Sequence, residues 1–263
     1  MKMNYKLAQD ARPQVATLML ATLLTVALWF IPFADVLTYP FRLFVTFIHE
    51  GGHALATILT GNSVQSLTIH ANGSGEVLSS IGGAFSGMLI SSAGYLGATA
   101  FGALLLVLIR RTFAARAVLT GSAVFILVLT LAYGIFGSVF TVVSGVAISL
   151  LLLLTARFAG ARVASFLVSF LAVQCVLNAL TDLKTVFFLS SPFAPEVHTD
   201  AANMAMATGI PSMFWAILWV GGALLILALA LRVYATTRTS PMQTELPFED
   251  PVDDTNDFTA RPM

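Results

Sequence analysis

The sequence predicts an all-α polytopic membrane protein with about six or seven transmembrane helices and one short β-hairpin. Three observations predict it. Of the 263 residues, 57% are hydrophobic and only 10% are charged. The apolar residues form several runs of the length that a membrane-spanning helix needs, about 20 residues. One stretch instead alternates polar and apolar residues around a Gly-rich turn, which is the pattern of two paired strands.

The composition excludes several classes of protein. A soluble domain carries roughly 25% charged residues, so a cytosolic enzyme, a nucleic-acid-binding protein and a disordered protein are excluded. The numbers of basic and acidic residues are equal, at 13 each, so the net charge indicates no polyanionic partner. The single cysteine, Cys175, excludes a disulfide framework and a Cys-rich zinc site, and we expect it to be buried. A multi-pass protein in the lipid bilayer of a bacterial cell membrane is expected, with its oligomeric state undetermined.

Seven segments are candidates for membrane spans. In chain order they are Val15–Val36, Phe41–Thr60, Phe85–Ile109, Ala117–Phe136, Val139–Ala156, Val163–Leu189 and Pro211–Leu231. The first is too long and uninterrupted for a cleaved signal peptide. The second contains His49, Glu50 and His53, and the sixth contains Asp182 and Lys184. Because an ionisable group inside a span is costly, Glu50 and Asp182 are functional candidates by default.

Three other stretches do not have the pattern of a span. Residues 63–80 alternate polar and apolar side chains around Asn-Gly-Ser-Gly, which predicts a β-hairpin. Residues 190–209 contain two prolines and predict a loop with a short helix near 201–207. Residues 236–263 are polar and acidic, so we expect a disordered tail after an integral-membrane metallopeptidase-like domain at 1–235.

The basic residues leave the orientation in the membrane open. Lys2, Lys6 and Arg12 precede the first span and favour a cytoplasmic N-terminus. With seven spans, most later arginines would then face outside, against the positive-inside trend. Either the N-terminus is outside, or one segment does not span, or the trend is overridden.

Residues 49–53 read His-Glu-Gly-Gly-His, the H-E-x-x-H pattern of zinc metallopeptidases. On a helix, His49 and His53 lie on one face about one turn apart, so their imidazoles can bind one zinc ion. Glu50 is placed to act as general base on a water that the zinc activates at neutral pH. Gly51 and Gly52 lack side chains, so a neighbouring helix or a substrate backbone could approach closely there.

A catalytic zinc usually has three protein ligands, so a third is expected. Asp182 is the preferred candidate, since it lies inside a predicted span, although it could instead pair with Lys184 or cap a broken helix. Asn178, one turn earlier, could orient Asp182, hydrogen-bond a substrate backbone, or join two helices. Asp200 is the second candidate, but it falls in the predicted loop, where an exposed acid is ordinary. Two further histidines, His70 and His198, are expected to be solvated.

The ordered set of motifs resembles the site-2 protease family of intramembrane zinc metallopeptidases, and more closely its compact peptidase-M50B-like branch. The segments that carry the resemblance are FIHEGGHALATILTG (47–61), SLTIHANGSGEV (66–77), SSAGYLGA (91–98), NALTDL (178–183) and TDAANMAMATGIP (199–211), followed by Trp215 and Trp219. Together they extend from about residue 40 to 232.

The resemblance implies zinc bound by His49 and His53, Glu50 as the catalytic base, and Asp182 as the aspartate ligand. It also implies that residues 64–79 hold an unwound substrate as an added strand. Better-known members carry their aspartate in an Asn-x-x-Pro-x-x-x-Leu-Asp-Gly motif. Here Asn178 and Asp182 are closer together, with neither the proline nor the glycine, and no stretch is long enough for a PDZ domain.

The function expected is that of an intramembrane zinc metalloprotease that hydrolyses peptide bonds of transmembrane or membrane-associated protein substrates. A second hypothesis is a proteolytically inactive chaperone or scaffold of the same fold, which would tolerate loss of Glu50. A third is a transporter that relays ions through intramembrane histidines and acids. The C-terminal half has no second copy of the 49–53 pattern, whereas transporters often have duplicated halves.

Overall fold

A computed structural model describes residues 12–31, 33–108, 112–190 and 199–235. Within these residues the chain forms eight α-helices and one two-stranded antiparallel sheet. The predicted acidic tail, residues 236–263, lies outside the described residues. The elements are α1 (Arg12–Trp29), α2 (Ala34–Leu59), β1 (Val64–Ile69), β2 (Gly75–Ser79), α3 (Ala84–Leu108), α4 (Thr112–Ala132), α5 (Val139–Phe158), α6 (Ala161–Leu189), α7 (Asp200–Thr208) and α8 (Ser212–Ala235).

Five of the described helices, α3, α4, α5, α6 and α8, are long and apolar enough to cross a membrane. The all-α membrane class predicted from the sequence is confirmed. The five described helices of sufficient length and apolar character are fewer than the six or seven spans expected. In α1 the apolar part, Ala16–Leu28, is shorter than a full span. The 26 residues of α2 include the charged and polar residues of the H-E-x-x-H motif, which lower its hydropathy.

The most enclosed of these helices are α6 and α3, whose apolar stretches are 61% and 56% buried, against 28% for α8. Helix α2 packs along α3, and α3 also packs against α6 and α8. Large apolar side chains such as Phe44, Phe47 and Leu105 fill the core between them. A second apolar cluster joins α3, α6, α7 and α8 through Leu183, Met204 and Trp219. This second cluster positions α7 against the bundle.

The hairpin predicted at 63–80 is confirmed as β1 and β2, with Leu67 opposite Val77 and Ile69 opposite Gly75. Its turn has a glycine where the backbone requires one, because Gly73 has a φ of +86°. The Gly73 N–H donates to the carbonyl of His70 at 2.9 Å. The turn is therefore built from the local sequence, as its Asn-Gly-Ser-Gly composition indicates.

The two edges of this small sheet differ. The Leu67 N–H donates to the Tyr133 carbonyl at 3.2 Å, and the Ile69 N–H donates to Thr141 Oγ1 at 2.8 Å. The residue after α4 and the first turn of α5 thus cover the outer edge of β1. In the described part of the chain, β2 has no second strand beside it and runs along α2, where Ser79 Oγ lies 3.0 Å from Thr57 Oγ1. The sheet therefore presents one free edge, that of β2.

Candidate metal and catalytic site

Helix α2 carries the H-E-x-x-H motif in the interior of the protein. Glu50 and His53 are 5% and 6% exposed, and His49 is half-buried. The Nε2 atoms of His49 and His53 lie 3.0 Å apart, as expected for positions i and i+4 of one helix. Two imidazole donors thus point to the same place, with the Glu50 carboxyl on the same helix beside them.

The side chain that joins the two histidines is Asp200. Its Oδ2 atom lies 3.3 Å from Nε2 of His53 and 3.6 Å from Nε2 of His49. Among the residues that the structure describes, these three offer ligand atoms within 4.8 Å of one another and could hold a metal ion. We call this group the donor cluster.

Asp200 is held in place because it is the first residue of α7. The preceding residue, Thr199, caps this helix, and its Oγ1 accepts a hydrogen bond from the Ala202 N–H at 3.2 Å. Gly209 ends the helix in the left-handed conformation, with a φ of +72°. Buried Ala201 and Met204 fix α7 against its neighbours. The short helix expected near 201–207 is thus the element that delivers the one carboxylate of the donor cluster.

The structure does not bring Asp182, the third ligand preferred from the sequence, into the donor cluster. Asp182 lies on an exposed part of α6, near enough to His49 and Arg42 to be influenced by their charges. Asn178, one turn earlier, is half-buried. The preference for Asp182 depended on its position in an apolar span. The sequence could not show that Asp200 lies against α2, where its carboxylate is within 3.6 Å of both imidazole nitrogens.

Electrostatics favour an ionised Asp200. Burial would raise the pKa of its carboxyl, but the charge of His53, together with hydrogen bonding to His49 and His53, holds that pKa below its usual range. A carboxylate must be deprotonated to bind a metal ion, so Asp200 is in the required state at neutral pH.

A second contact sets the tautomer of His53. Its Nδ1 atom lies 2.7 Å from the carbonyl oxygen of Ile90 on α3. Because a carbonyl can only accept, Nδ1 carries a proton, and Nε2 is the nitrogen that faces the donor cluster and would bind a metal ion once deprotonated. Metal-binding histidines commonly use their second nitrogen in this way, which orients the ring.

Gly94 on α3 lies directly in front of the donor cluster, and no local sequence pattern indicates this role. A Cβ atom on Gly94 would collide with the Nε2 atoms of both His49 and His53. Only a residue without a side chain therefore leaves room for an ion at this point. The segment SSAGYLGA, which contains Gly94, is one of those that carry the family resemblance.

The two glycines inside the motif face neighbouring helices. A Cβ on Gly51 would lie 2.7 Å from the ring of Phe125 on α4. One on Gly52 would collide with the carbonyl oxygen of Ala93 on α3. The sequence suggested that these glycines allow the close approach of either a neighbouring helix or a substrate backbone. The contacts support the approach of neighbouring helices.

Strand β2, which has the free edge of the sheet, begins directly beside Glu50. A Cβ on Gly75, the first residue of β2, would lie 2.8 Å from Glu50 Oε1 and 2.7 Å from its Cγ. Two hydrogen bonds fix the turn on α2: Tyr39 donates to the Ala71 carbonyl at 2.6 Å, and Thr46 donates to the Gly73 carbonyl at 2.8 Å. The glycine at position 75 thus brings a strand backbone against the acidic residue of the motif.

The other two histidines lie apart from this arrangement. His70 is about half exposed, and its Nε2 lies 3.6 Å from Glu76 at the end of the hairpin. His198 lies outside the described residues. Cys175 is fully buried, as expected.

The comparisons with known proteins give one match. A family model described as Peptidase M50B-like matches residues 17–230, which include the motif, the hairpin, Asp182 and Asp200. A search of curated proteins and a search of solved structures each gave no match. The match covers most of the chain and agrees with the resemblance found from the motifs. The chain therefore belongs to the Peptidase M50B-like family.

Proposed function

We propose that this protein is an intramembrane zinc metalloprotease that hydrolyses peptide bonds of membrane-associated protein substrates, in the cell membrane of a bacterium. The observation that carries the proposal is the donor cluster itself. His49, His53 and Asp200 converge on one point, with the buried Glu50 next to them and the free strand β2 alongside.

The donor cluster suits zinc. Atoms that share a tetrahedral zinc at about 2.0–2.1 Å lie roughly 3.3 Å from one another. The three separations in the cluster are 3.0, 3.3 and 3.6 Å. Two imidazole nitrogens and a carboxylate are also the donor types of catalytic zinc sites, which leave a fourth position open. The missing side chain of Gly94 supplies the space.

When bound, zinc would supply Lewis acidity to the scissile carbonyl and to the attacking water. Glu50 would take a proton from that water and then deliver it to the leaving amine. Glu50 is only 5% exposed, so its carboxylate lies in a site from which bulk water is largely excluded. The Ile90 carbonyl holds the His53 ring so that its free nitrogen faces the ion.

The free edge of β2 would hold the substrate chain as an added strand. Residues opposite each other in an antiparallel pair alternate between hydrogen-bonded and non-hydrogen-bonded positions. Because the N–H groups of Leu67 and Ile69 bond away from β2, their partners Val77 and Gly75 direct backbone groups to the free side. A substrate strand paired there would pass Glu50, in the extended form that exposes peptide carbonyls. Asn178 is proposed to bind the substrate backbone or to orient Asp182.

The test joins metal analysis to cleavage. The purified protein should contain one zinc per chain and cut a reporter with a transmembrane segment. Glu50→Gln should keep the zinc and lose cleavage, because Glu50 moves a proton and is not a ligand. His53→Ala should lose both. If the wild type and Glu50→Gln both hold zinc and neither ever cuts a substrate, proteolysis is the wrong function. Complementation of a deletion phenotype by Glu50→Gln would then identify a scaffold.

A further inference from the structure

Tyr95 on α3 lies at the donor cluster but has no part in the scheme above. Its ring meets the ring of His49 edge to face, with the centroids 4.6 Å apart. Its other neighbour is Trp219 on α8, stacked at 5.4 Å. Tyr95 also follows Gly94, the residue that leaves room in front of the two histidines. The ring is thus held between a metal-binding candidate and a large aromatic side chain.

The support behind Tyr95 is rigid. Trp219 is 1% exposed, and its indole N–H donates to Ser92 Oγ at 3.1 Å. The Ser92 hydroxyl donates in turn to the Met88 carbonyl at 2.9 Å. These contacts fix the Trp219 ring, and the stacked Tyr95 ring has little freedom to turn. A group held in this way is preorganised for its partner.

The Tyr95 hydroxyl has no hydrogen-bond partner in the part of the chain that the structure describes, although the residue is only 8% exposed. The charged groups that act on it are the carboxylates of Asp200, Asp182 and Glu50. The hydroxyl therefore lies within electrostatic range of the carboxylates at and around the donor cluster. The hydroxyl is also not among the described side-chain atoms that are closed off from solvent without a partner. A group that enters the site can therefore reach it, and a polar atom held at such a place is available to a substrate.

We propose that Tyr95 is a further catalytic residue, whose hydroxyl donates a hydrogen bond to the scissile carbonyl oxygen of the substrate; this rests on the proposed function. The Asp200 carboxylate and imidazole nitrogens that bind an ion have no proton to donate to the substrate oxygen, and Glu50 begins the reaction ionised. Tyr95 supplies an O–H donor where negative charge develops on the carbonyl oxygen during attack. The phenol keeps its proton throughout, so the step requires no further acid or base.

The test compares Tyr95→Phe, which keeps both ring contacts, with Tyr133→Phe. Tyr133 follows α4, and its side chain packs against the apolar core. In Tyr95→Phe we expect kcat on the transmembrane reporter to fall by about 100-fold, with KM and zinc content unchanged. A phosphinic peptide, whose tetrahedral P–O⁻ group imitates the carbonyl oxygen as it gains negative charge, should bind about 100-fold more weakly. Tyr133→Phe should match the wild type in all four measurements.

Three results would overturn the proposal. One is a wild-type kcat and phosphinic-peptide affinity in Tyr95→Phe. Another is loss of zinc in that variant, which would assign the hydroxyl to the metal site instead. The last is failure of the wild-type protein to bind the phosphinic peptide. If the wild type binds this peptide but never cleaves the reporter, the proposed function fails by itself, and the affinity ratio still decides the role of Tyr95.

Discussion

Replacing Asp200 should remove the metal ion, whereas replacing Asp182 should not. Asp200→Asn keeps the shape of the side chain and removes its charge. In the structure Oδ2 of Asp200 lies 3.3 and 3.6 Å from the two imidazole nitrogens. Asp182 is outside the donor cluster and on an exposed part of α6. Asp182→Asn is thus a matched control, with the same chemical change at the carboxylate that the sequence favours.

The size of the effect follows from the number of donors. Loss of a partner that only orients a ligand lowers metal affinity by about 10- to 100-fold. Asp200 is one of three donors, so its loss should exceed that range, beyond roughly 100-fold. Asp182→Asn should change the affinity by less than about 10-fold, because Asp182 lies outside the donor cluster and influences His49 through its charge.

The measurement is a zinc titration of the purified, chelator-stripped protein against a coloured competing chelator. Thermal unfolding without metal checks that both variants fold alike. A larger loss of zinc affinity in Asp182→Asn than in Asp200→Asn would refute the reasoning, and so would equal losses. Either result would mean that the donor cluster is not the site at which zinc is bound.

The same geometry leads to three further predictions. Gly94→Ala should abolish zinc binding while His49 and His53 remain, because its Cβ would occupy the space before both Nε2 atoms; a wild-type zinc stoichiometry would contradict this. Gly75→Val should keep the zinc but lower reporter cleavage by at least about 10-fold, because the added side chain would press on Glu50. Retained cleavage would show that the strand can move away. Thr141→Val should lower the free energy of unfolding by about 1–3 kcal/mol, because the buried Ile69 N–H loses its acceptor. Thermal unfolding in detergent measures this loss, and an unchanged midpoint would contradict it.

Much of the fold could be predicted because its signals are local. The apolar runs predicted most of the long helices, since a bilayer requires about 20 apolar residues per helix. The alternation at 63–80 and its Gly-rich turn predicted the hairpin, since side chains alternate across a strand. Whether α2 spans the membrane was harder to predict. Its many apolar residues raise its mean hydropathy, whereas the polar residues of its motif lower it.

The candidate site was predictable in part. His49, Glu50 and His53 lie within five residues of one helix, so the helical repeat alone places them together. No local sequence pattern indicates a role for Gly94 or Tyr95, because both lie within a predicted apolar helix that has no motif. Their positions depend on how α3 packs against α2 and α8. The sequence favours Asp182 over Asp200, because an acid in a predicted loop is usually solvated.

The sequence by itself determined the membrane class, the hairpin and the two histidines with their glutamate, since each follows from composition or from the period of one element. The tertiary structure decided which carboxylate joins the histidines and which glycine leaves room for an ion. It also decided which strand edge stays free beside Glu50. The reason is that Asp200 follows His53 by about 150 residues of chain. Only the packing of α7 on α3 and α8 brings its carboxylate back to α2.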